Sequence, residues 1–181
     1  MMKENMRFFS GGLKGAEAAF GLQSETYGIA ETTLAFEGQE LHRSVNVEVL
    51  SEEALKQGDV SMEIVSARMG RRYAQAEKIR KVFQVIFHMV NRGIQVFAVG
   101  WIQEDNTVKG GTGWAVELGK FFNRPVSVFD QEKNQWYSWK ENRWALDTPV
   151  ITERTFCGTG TRNLTHEGER AIKDLFKRSL G

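Results

Sequence analysis

The stretch "GIQVFAVG" (Gly93–Gly100), followed by "TVKGGTGWAVELGKFFN" (Thr107–Asn123) and "RPVSVFD" (Arg124–Asp130), decides the fold class. Gly93–Gly100 is a continuous apolar run that ends in glycine, which is typical of a central parallel strand buried on both faces. A glycine-rich turn then begins a helical segment, and a second apolar strand ends at Asp130. Because strand, turn, helix and strand follow in this order, the stretch predicts a βαβ unit and a mostly parallel sheet.

The rest of the amino-terminal half repeats this alternation. A short apolar strand at Met6–Phe9 precedes a helix at Ala16–Tyr27 and a strand at Thr32–Phe36, and the pattern is helical over 61–91 with a break near Gly70. The segment 37–58 is polar, and its "VNVEVL" is a strand or an edge segment. One apolar stripe of the second helical region is expected to face the core: Ile79, Val82, Phe83, Ile86, Met89 and Val90.

The carboxyl-terminal segments are predicted to form a hairpin, a glycine-rich turn and a last helix. "NQWYSWKENRWALD" (residues 134–147) predicts an aromatic hairpin, although its tryptophans also invite a base-stacking hypothesis. "VITERTF" runs into the turn "CGTGTRNLT" and a last helix at Thr165–Leu180. The predicted fold is therefore one α/β Rossmann-like domain over residues 1–181, with a mostly parallel sheet, helices on both faces and the hairpin added.

Composition limits the function classes. The 24 Lys and Arg residues against 23 Asp and Glu give a formal net charge of +1, which argues against nonspecific nucleic-acid binding. Cys157 is the single cysteine, and the histidines have no metal-ligand spacing, so no metal or other cofactor is predicted. Without a signal-peptide pattern or a long apolar run, a cytoplasmic protein with no membrane partner is expected.

Three glycine-rich turns each precede a predicted helix: "SGGLKGAE" (10–17), "KGGTGWAVE" (109–117) and "FCGTGTRNLT" (156–165). Glycine lets the backbone approach a ligand, and the free N–H groups of a helix amino terminus bind phosphate. Turns after parallel strands share one edge of the sheet, so the three are expected to converge on one crevice. None matches the P-loop or the classical dinucleotide fingerprint. The predicted ligand-binding residues are Ser10, Gly11, Gly12, Lys14, Gly15, Gly110, Gly111, Thr112, Gly158, Thr159, Gly160, Thr161 and Arg162.

These turns resemble those of the SLOG superfamily of Rossmann-like proteins, which includes the Lonely Guy phosphoribohydrolases, the lysine decarboxylase-like proteins and the DNA-processing SMF proteins. "SGGLKGAE" is similar to that group's "SGGAxGAD" turn, with Glu17 in place of the usual Asp. "GGTGWAVE" is similar to the enzymes' "PGGxGTxxE" turn, with one more residue between the glycines and Glu117. "RKVFQV" is similar to the group's arginine-containing helix segment.

The order of the motifs departs from the family. SLOG domains usually place the "GxGSR" or "GTR" turn after their first strand and the "SGG" turn after the next, whereas here "GTGTR" comes last and "SGG" comes first. The resemblance therefore implies a circular permutant, whose two ends are expected to lie close together.

The resemblance also implies two catalytic residues, Glu117 and Arg80. Glu117 either acts as an acid or base beside the second turn or forms a surface pair with Lys120. Arg80 either contacts a phosphate or ribose or forms a structural ion pair. Its helical neighbours Gln84 and His88 share a face outside the apolar stripe, and His88 is expected to lie on a solvated surface.

Two functions follow as expectations. The first is binding of a nucleotide or phosphorylated ribose compound, extended to cleavage of an N-glycosidic bond if the chain is a phosphoribohydrolase-like enzyme. The second is a noncatalytic nucleotide sensor or carrier that acts through homodimerisation or a protein partner. Single-stranded DNA binding, a third class, is opposed by the near-neutral charge.

Overall fold

An eight-stranded sheet lies at the centre of the fold, as seen in a computed structural model that describes residues 2–73 and 76–181. The strands are β1 (Arg7–Ser10), β2 (Ala30–Phe36), β3 (Val47–Leu50), β4 (Gln95–Gly100), β5 (Val126–Asp130), β6 (Gln135–Lys140), β7 (Arg143–Leu146) and β8 (Thr155–Gly160). The helices are α1 (Ala16–Thr26), α2 (Glu52–Lys56), α3 (Asp59–Met69), α4 (Glu77–Arg92), α5 (Thr112–Phe121) and α6 (His166–Leu180). Within the described residues, none of the helices combines the length and the apolar character needed to cross a membrane.

The strand order is β3-β2-β1-β8-β4-β5-β6-β7. The six strands from β3 to β5 are parallel, and β6 and β7 are added in antiparallel orientation. This arrangement confirms the predicted α/β class with a mostly parallel sheet. It also places β8, the last strand in chain order, between β1 and β4.

Each face of the sheet carries its own hydrophobic core. One face is covered by α1 and α6, where the rings of Phe8, Phe20, Phe176 and Phe156 form a closed circuit of neighbours whose centres are 5.3–6.5 Å apart. The other face is covered by α3, α4 and α5. The central strands are apolar because they are buried on both faces, as β4 is along its whole length.

The long helical region predicted over 61–91 is two helices. Gly70 adopts a left-handed conformation (φ 66°) that ends α3, in agreement with the predicted break. Two expectations for α4 were wrong. Ile79, which was predicted to face the core, is 53 % exposed, and His88, which was predicted to lie on a solvated surface, is buried together with Gln84. The reason is that α3 and α2 pack on this face: Gln84 donates to Asp59 at 2.9 Å, and His88 lies 2.6 Å from the Ala54 carbonyl.

The β6–β7 pair is joined by a two-residue turn at Glu141 and Asn142, both with left-handed φ values of 51° and 61°. Two consecutive left-handed residues define the tight turn that matches the twist of antiparallel strands. Trp139 and Trp144 are directly opposite across the pair, with their ring centres 5.0 Å apart.

The first described residues and the end of α6 pack around shared neighbours at the amino edge of the parallel strands. The Arg7 N–H donates to the Arg154 carbonyl, and the Ile151 N–H donates to the Ser179 hydroxyl at 2.8 Å. Lys3 lies over the Tyr27 ring, which in turn contacts Phe176 of α6. Both ends therefore lie on one side of the sheet.

A buried ion pair fixes the segment between β2 and β3. Arg43 donates two hydrogen bonds of 2.8 Å to the two carboxylate oxygens of Glu31, whose side chain is 3 % exposed. Arg43 reaches Glu31 across Gly21 of α1, where a Cβ atom would lie 2.4 Å from the Arg43 Nε. The N–H groups of His42 and Arg43 donate to the Gly12 carbonyl, so this segment also braces the first glycine turn.

Candidate functional site

A crevice of about 430 Å³ opens at the carboxyl edge of the sheet, between the ends of β8 and β4. Chain connections leave these two strands in opposite directions: β8 continues into α6 on one face, and β4 leads to α5 on the other. Such a reversal point is where open α/β sheets bind ligands. The lining residues are Leu13, Glu17, Val82, Ile86, Gly100, Trp101, Lys109, Gly110, Gly111, Thr112, Thr159, Gly160, Thr161, Arg162 and Asn163.

The turn before α5 is the part of the crevice best suited to an anion. Gly110 has a left-handed φ of 72°, and Gly111 begins the helix with open space around its α carbon. Within the described part of the chain, the N–H groups of Gly111 and Thr112 have no protein acceptor. Arg71 holds the turn rigid by donating to the carbonyls of Gly110 at 3.0 Å and Val108 at 2.8 Å.

Two cations and an apolar wall complete the crevice. Lys109 and Arg162 are exposed side chains on opposite sides, one beside the α5 turn and one just after β8. Lys109 lies 5.8 Å from the centre of the Trp101 ring, which offers a flat surface at the rim. Leu13, Val82 and Ile86 form the apolar wall. The crevice can therefore hold a ligand that has an anionic end and an apolar or aromatic part.

Comparison of the chain with protein-family models, with curated proteins and with solved structures gave no match. The geometry of the crevice is therefore what supports a function.

The glycines predicted as a turn before α6 lie in β8 itself, so that part of the turn assignment was wrong. Gly158 is buried against α1, where a Cβ atom would lie 2.4 Å from the Phe20 ring. Gly160 has φ 149°, and a Cβ atom there would lie 2.4 Å from the Val99 carbonyl oxygen. Close packing explains both glycines. Of this motif, residues 159–163 line the crevice whereas Gly158 does not.

The first glycine turn lies beside the crevice but is largely closed. The Ser10 hydroxyl is buried and accepts from the Gly12 N–H at 3.3 Å, and Gly12 has φ 69°. The Ala16 N–H donates to the Thr161 carbonyl at 3.0 Å, so it is not available to a ligand. Gly15 packs against the same carbonyl, and Lys14 points to solvent. The crevice lining includes none of the predicted residues of this turn, which are Ser10, Gly11, Gly12, Lys14 and Gly15.

Glu17 lines the crevice but was not among the ligand-binding residues predicted from the sequence. Its side chain lines the crevice and is 3 % exposed, accepting hydrogen bonds from the Thr159 hydroxyl at 2.8 Å and the Leu13 N–H at 3.1 Å. Burial raises the pKa of the Glu17 carboxyl, against the opposing effects of Thr159, of the Leu13 and Gly11 backbone, and of the positive charge of Arg162. Its position in "SGGLKGAE" could have identified it as a site residue, because the acid of that motif directly follows the glycine turn.

Arg80 lies in the first turn of α4 and does not line the crevice. Its guanidinium forms an ion pair with Asp59 at 3.5 Å and stacks 4.0 Å from the centre of the Tyr73 ring. Asp59 also accepts from the Tyr73 hydroxyl at 2.7 Å. An ion pair of this kind is one of the two alternatives considered for Arg80.

This cluster predicts a pH dependence of stability. Burial alone would raise the pKa of Asp59, but hydrogen bonds from Tyr73 and Gln84 and the charge of Arg80 hold it below its ordinary value of 3.8. A lowered pKa adds stability above the unfolded-state value, and this stability is lost as the pH falls through the folded-state value. We expect the difference in melting temperature between the wild type and Asp59→Asn to shrink as the pH falls below about 3.8.

The control for this measurement is Asp174→Asn, which changes an exposed carboxyl on α6. Its melting-temperature difference from the wild type should stay small at every pH. A constant difference for Asp59→Asn between pH 5 and pH 2 would contradict the assignment.

Glu117 lies on α5 away from the crevice lining. The Oε2 atom of its carboxylate lies 3.3 Å from the Lys120 Nζ, and both side chains are largely buried. Lys120 lies 3.8 Å from the centre of the Trp139 ring and 4.9 Å from that of Trp144. Burial lowers the pKa of Lys120, against the effect of Glu117. The structure therefore joins Glu117 to the β6–β7 pair rather than to the ligand crevice.

Metal ligation and thiolate chemistry have no support among the described residues. Among residues 2–73 and 76–181, no group of three or more His, Cys, Asp or Glu side chains is placed to hold a metal ion. Burial raises the pKa of the Cys157 thiol to about 12, so this group is not a thiolate nucleophile at neutral pH.

Proposed function

We propose that this chain binds a nucleotide or another phosphorylated ribose compound in the crevice between β8 and β4. The observation that carries the proposal is the turn at Gly110–Thr112, where the N–H groups of Gly111 and Thr112 have no acceptor within the described residues and would donate to an anion at the start of α5. Lys109 and Arg162 line the same crevice. The apolar wall and the Trp101 ring would hold the base or ribose. A volume of about 430 Å³ lies in the usual range for small-molecule sites.

We also propose that the chain is a circularly permuted domain of the SLOG type. If the strands are counted from β8 and the edge strand β3 is set aside as an addition between β2 and β4, the order β2-β1-β8-β4-β5 becomes 3-2-1-4-5, which is the order of the doubly wound nucleotide-binding fold. The shared contact with Tyr27 supports the same proposal, because Lys3 of the first described segment and Phe176 of the last helix both pack against this ring.

Binding is better supported than N-glycosidic cleavage. The two residues that the resemblance implies for catalysis, Glu117 and Arg80, are both engaged in ion pairs outside the crevice lining. This observation favours the second candidate, a nucleotide sensor or carrier that acts through a partner or through dimerisation, over a phosphoribohydrolase with the enzymes' arrangement of residues.

The test is the melting temperature in the presence of AMP, ADP, ADP-ribose, NAD, cytokinin ribotides or inorganic phosphate. A ligand present at a hundred times its dissociation constant adds about 2.7 kcal/mol, which corresponds to a rise of about 5–10 °C for a domain of this size. We expect such a rise with at least one nucleotide.

The matched controls are Gly111→Asp and Gly111→Asn. A side chain at Gly111 meets open space, so both variants should fold, but only Asp places a negative charge at the start of α5. We expect the rise to be lost in Gly111→Asp and largely kept in Gly111→Asn. An equal rise in Gly111→Asp, or no rise with any compound in the wild type, would overturn the proposed site.

A further inference from the structure

The anion position of the first glycine turn is already occupied by a carboxyl group of the protein itself, that of Glu17. The Leu13 N–H and the Thr159 hydroxyl donate to different carboxylate oxygens of Glu17, and the Gly11 backbone contributes to the same carboxylate. Converging backbone N–H groups of this kind form an anion-binding concavity. Glu17 is more than nine-tenths buried, so its carboxylate fills this concavity rather than lying at its rim.

The surrounding chain leaves no space for a second anion there. A Cβ atom at Gly11 would lie 2.9 Å from the nearer Glu17 oxygen, so backbone and carboxylate are in close contact. The Ala16 N–H at the start of α1 is taken by the Thr161 carbonyl. The turn before α5 has both the space and the free donor that the first turn lacks. Gly111 faces open space, and its N–H has no acceptor within the described residues.

We propose that Glu17 is a specificity-determining residue that occupies the anion position of the first glycine turn and so excludes ligand phosphate from it. The inference rests on the proposed function in one respect, namely that a phosphate binds in the crevice at all. In its ionised form Glu17 also disfavours a second anionic group near the floor of the crevice. Ligand phosphate is thereby left to the turn before α5, with Lys109 and Arg162.

The test removes the Glu17 carboxyl group and offers a small anion from solution in its place. Glu17→Ala empties the concavity and leaves its donors unpaired, so we expect a lower melting temperature than in the wild type. Sodium formate, at a concentration about ten times its dissociation constant, should then raise the melting temperature of Glu17→Ala by about 3 °C or more relative to the same concentration of sodium chloride. Inorganic phosphate should also raise it further than it raises the wild type, since it gains a second site.

Glu117→Ala is the matched control, because it removes a partly buried carboxylate that is held by a lysine instead of by backbone N–H groups. If Glu17→Ala does not fold, Glu17→Ser serves instead, since its hydroxyl leaves the emptied donors partly satisfied. Formate rescue of the Glu17 variant alone supports the inference. No rescue, or equal effects in the wild type, Glu117→Ala and the Glu17 variant, overturns it.

The outcome is independent of the nucleotide experiment. Formate rescue without any nucleotide-induced shift would keep the occupied concavity and reject the proposed function. A nucleotide-induced shift without formate rescue would keep the function and reject the role of Glu17.

Discussion

Arg43→Met is expected to lower the free energy of unfolding by about 3–5 kcal/mol, because it leaves a buried carboxylate without its partner. The Glu31 side chain is 3 % exposed and receives both of its 2.8 Å hydrogen bonds from the Arg43 guanidinium. Loss of this pair would also release the segment that braces Gly12. Urea denaturation of the two proteins, followed by circular dichroism, measures the difference.

Two further variants separate the buried charge from a general effect of removing arginine. Arg92→Met breaks an exposed ion pair with Glu48 at 2.6 Å, and should cost about 1 kcal/mol or less. The double variant Arg43→Met/Glu31→Met should recover much of the lost stability, because no unpaired charge stays buried. Similar losses for Arg43→Met and Arg92→Met would show that Glu31 is not isolated from solvent in the way described.

Gly158→Ala is expected to cost about 1–3 kcal/mol, because the added methyl group has no space. Its Cβ atom would lie 2.4–2.7 Å from atoms of the Phe20 ring, in the core between β8 and α1. Thermal and urea denaturation measure the loss, and Phe20→Leu in the Gly158→Ala background should restore part of it.

Gly111→Ala distinguishes this packing role from the role of a ligand-binding glycine. Nothing lies within 4 Å of a Cβ atom at Gly111, so its unfolding free energy should change by only about 0.5 kcal/mol. If Gly158→Ala were as stable as Gly111→Ala, α1 would not pack on β8 as closely as the structure has it.

The glycines before α5 and those within β8 show which parts of the fold the sequence could predict. The continuous apolar run of β4 and the turn that begins α5 depend on neighbouring residues, so the βαβ unit followed directly from the pattern. "GTGT" has the same local appearance as a turn, but Gly158 and Gly160 are glycines because α1 and β4 approach β8 closely. Contacts between segments distant in the chain decided their role, and no local pattern reports them.

The candidate site likewise contains some residues that the sequence could predict and others that it could not. Gly110, Gly111, Thr112, Thr161 and Arg162 were predicted because glycine turns follow parallel strands, and the structure brings them together in one crevice. Glu117 could not be excluded from the sequence, since its partner Lys120 is held by tryptophans of the β6–β7 pair. Lys109 and Glu17 were missed because their charges become informative only when the crevice is assembled.

The position of β8 has a consequence for biosynthesis. Seven strands leave the ribosome before β8, yet β8 pairs with β1 on one side and β4 on the other. Until it arrives, β1 and β4 each present an unpaired backbone edge, the kind of edge that promotes association between chains. Folding must also wait for pairings as distant in the chain as Arg7 with Thr155, which slows it. The nascent chain is therefore expected to need protection by chaperones until a six-residue strand joins the two halves of the sheet.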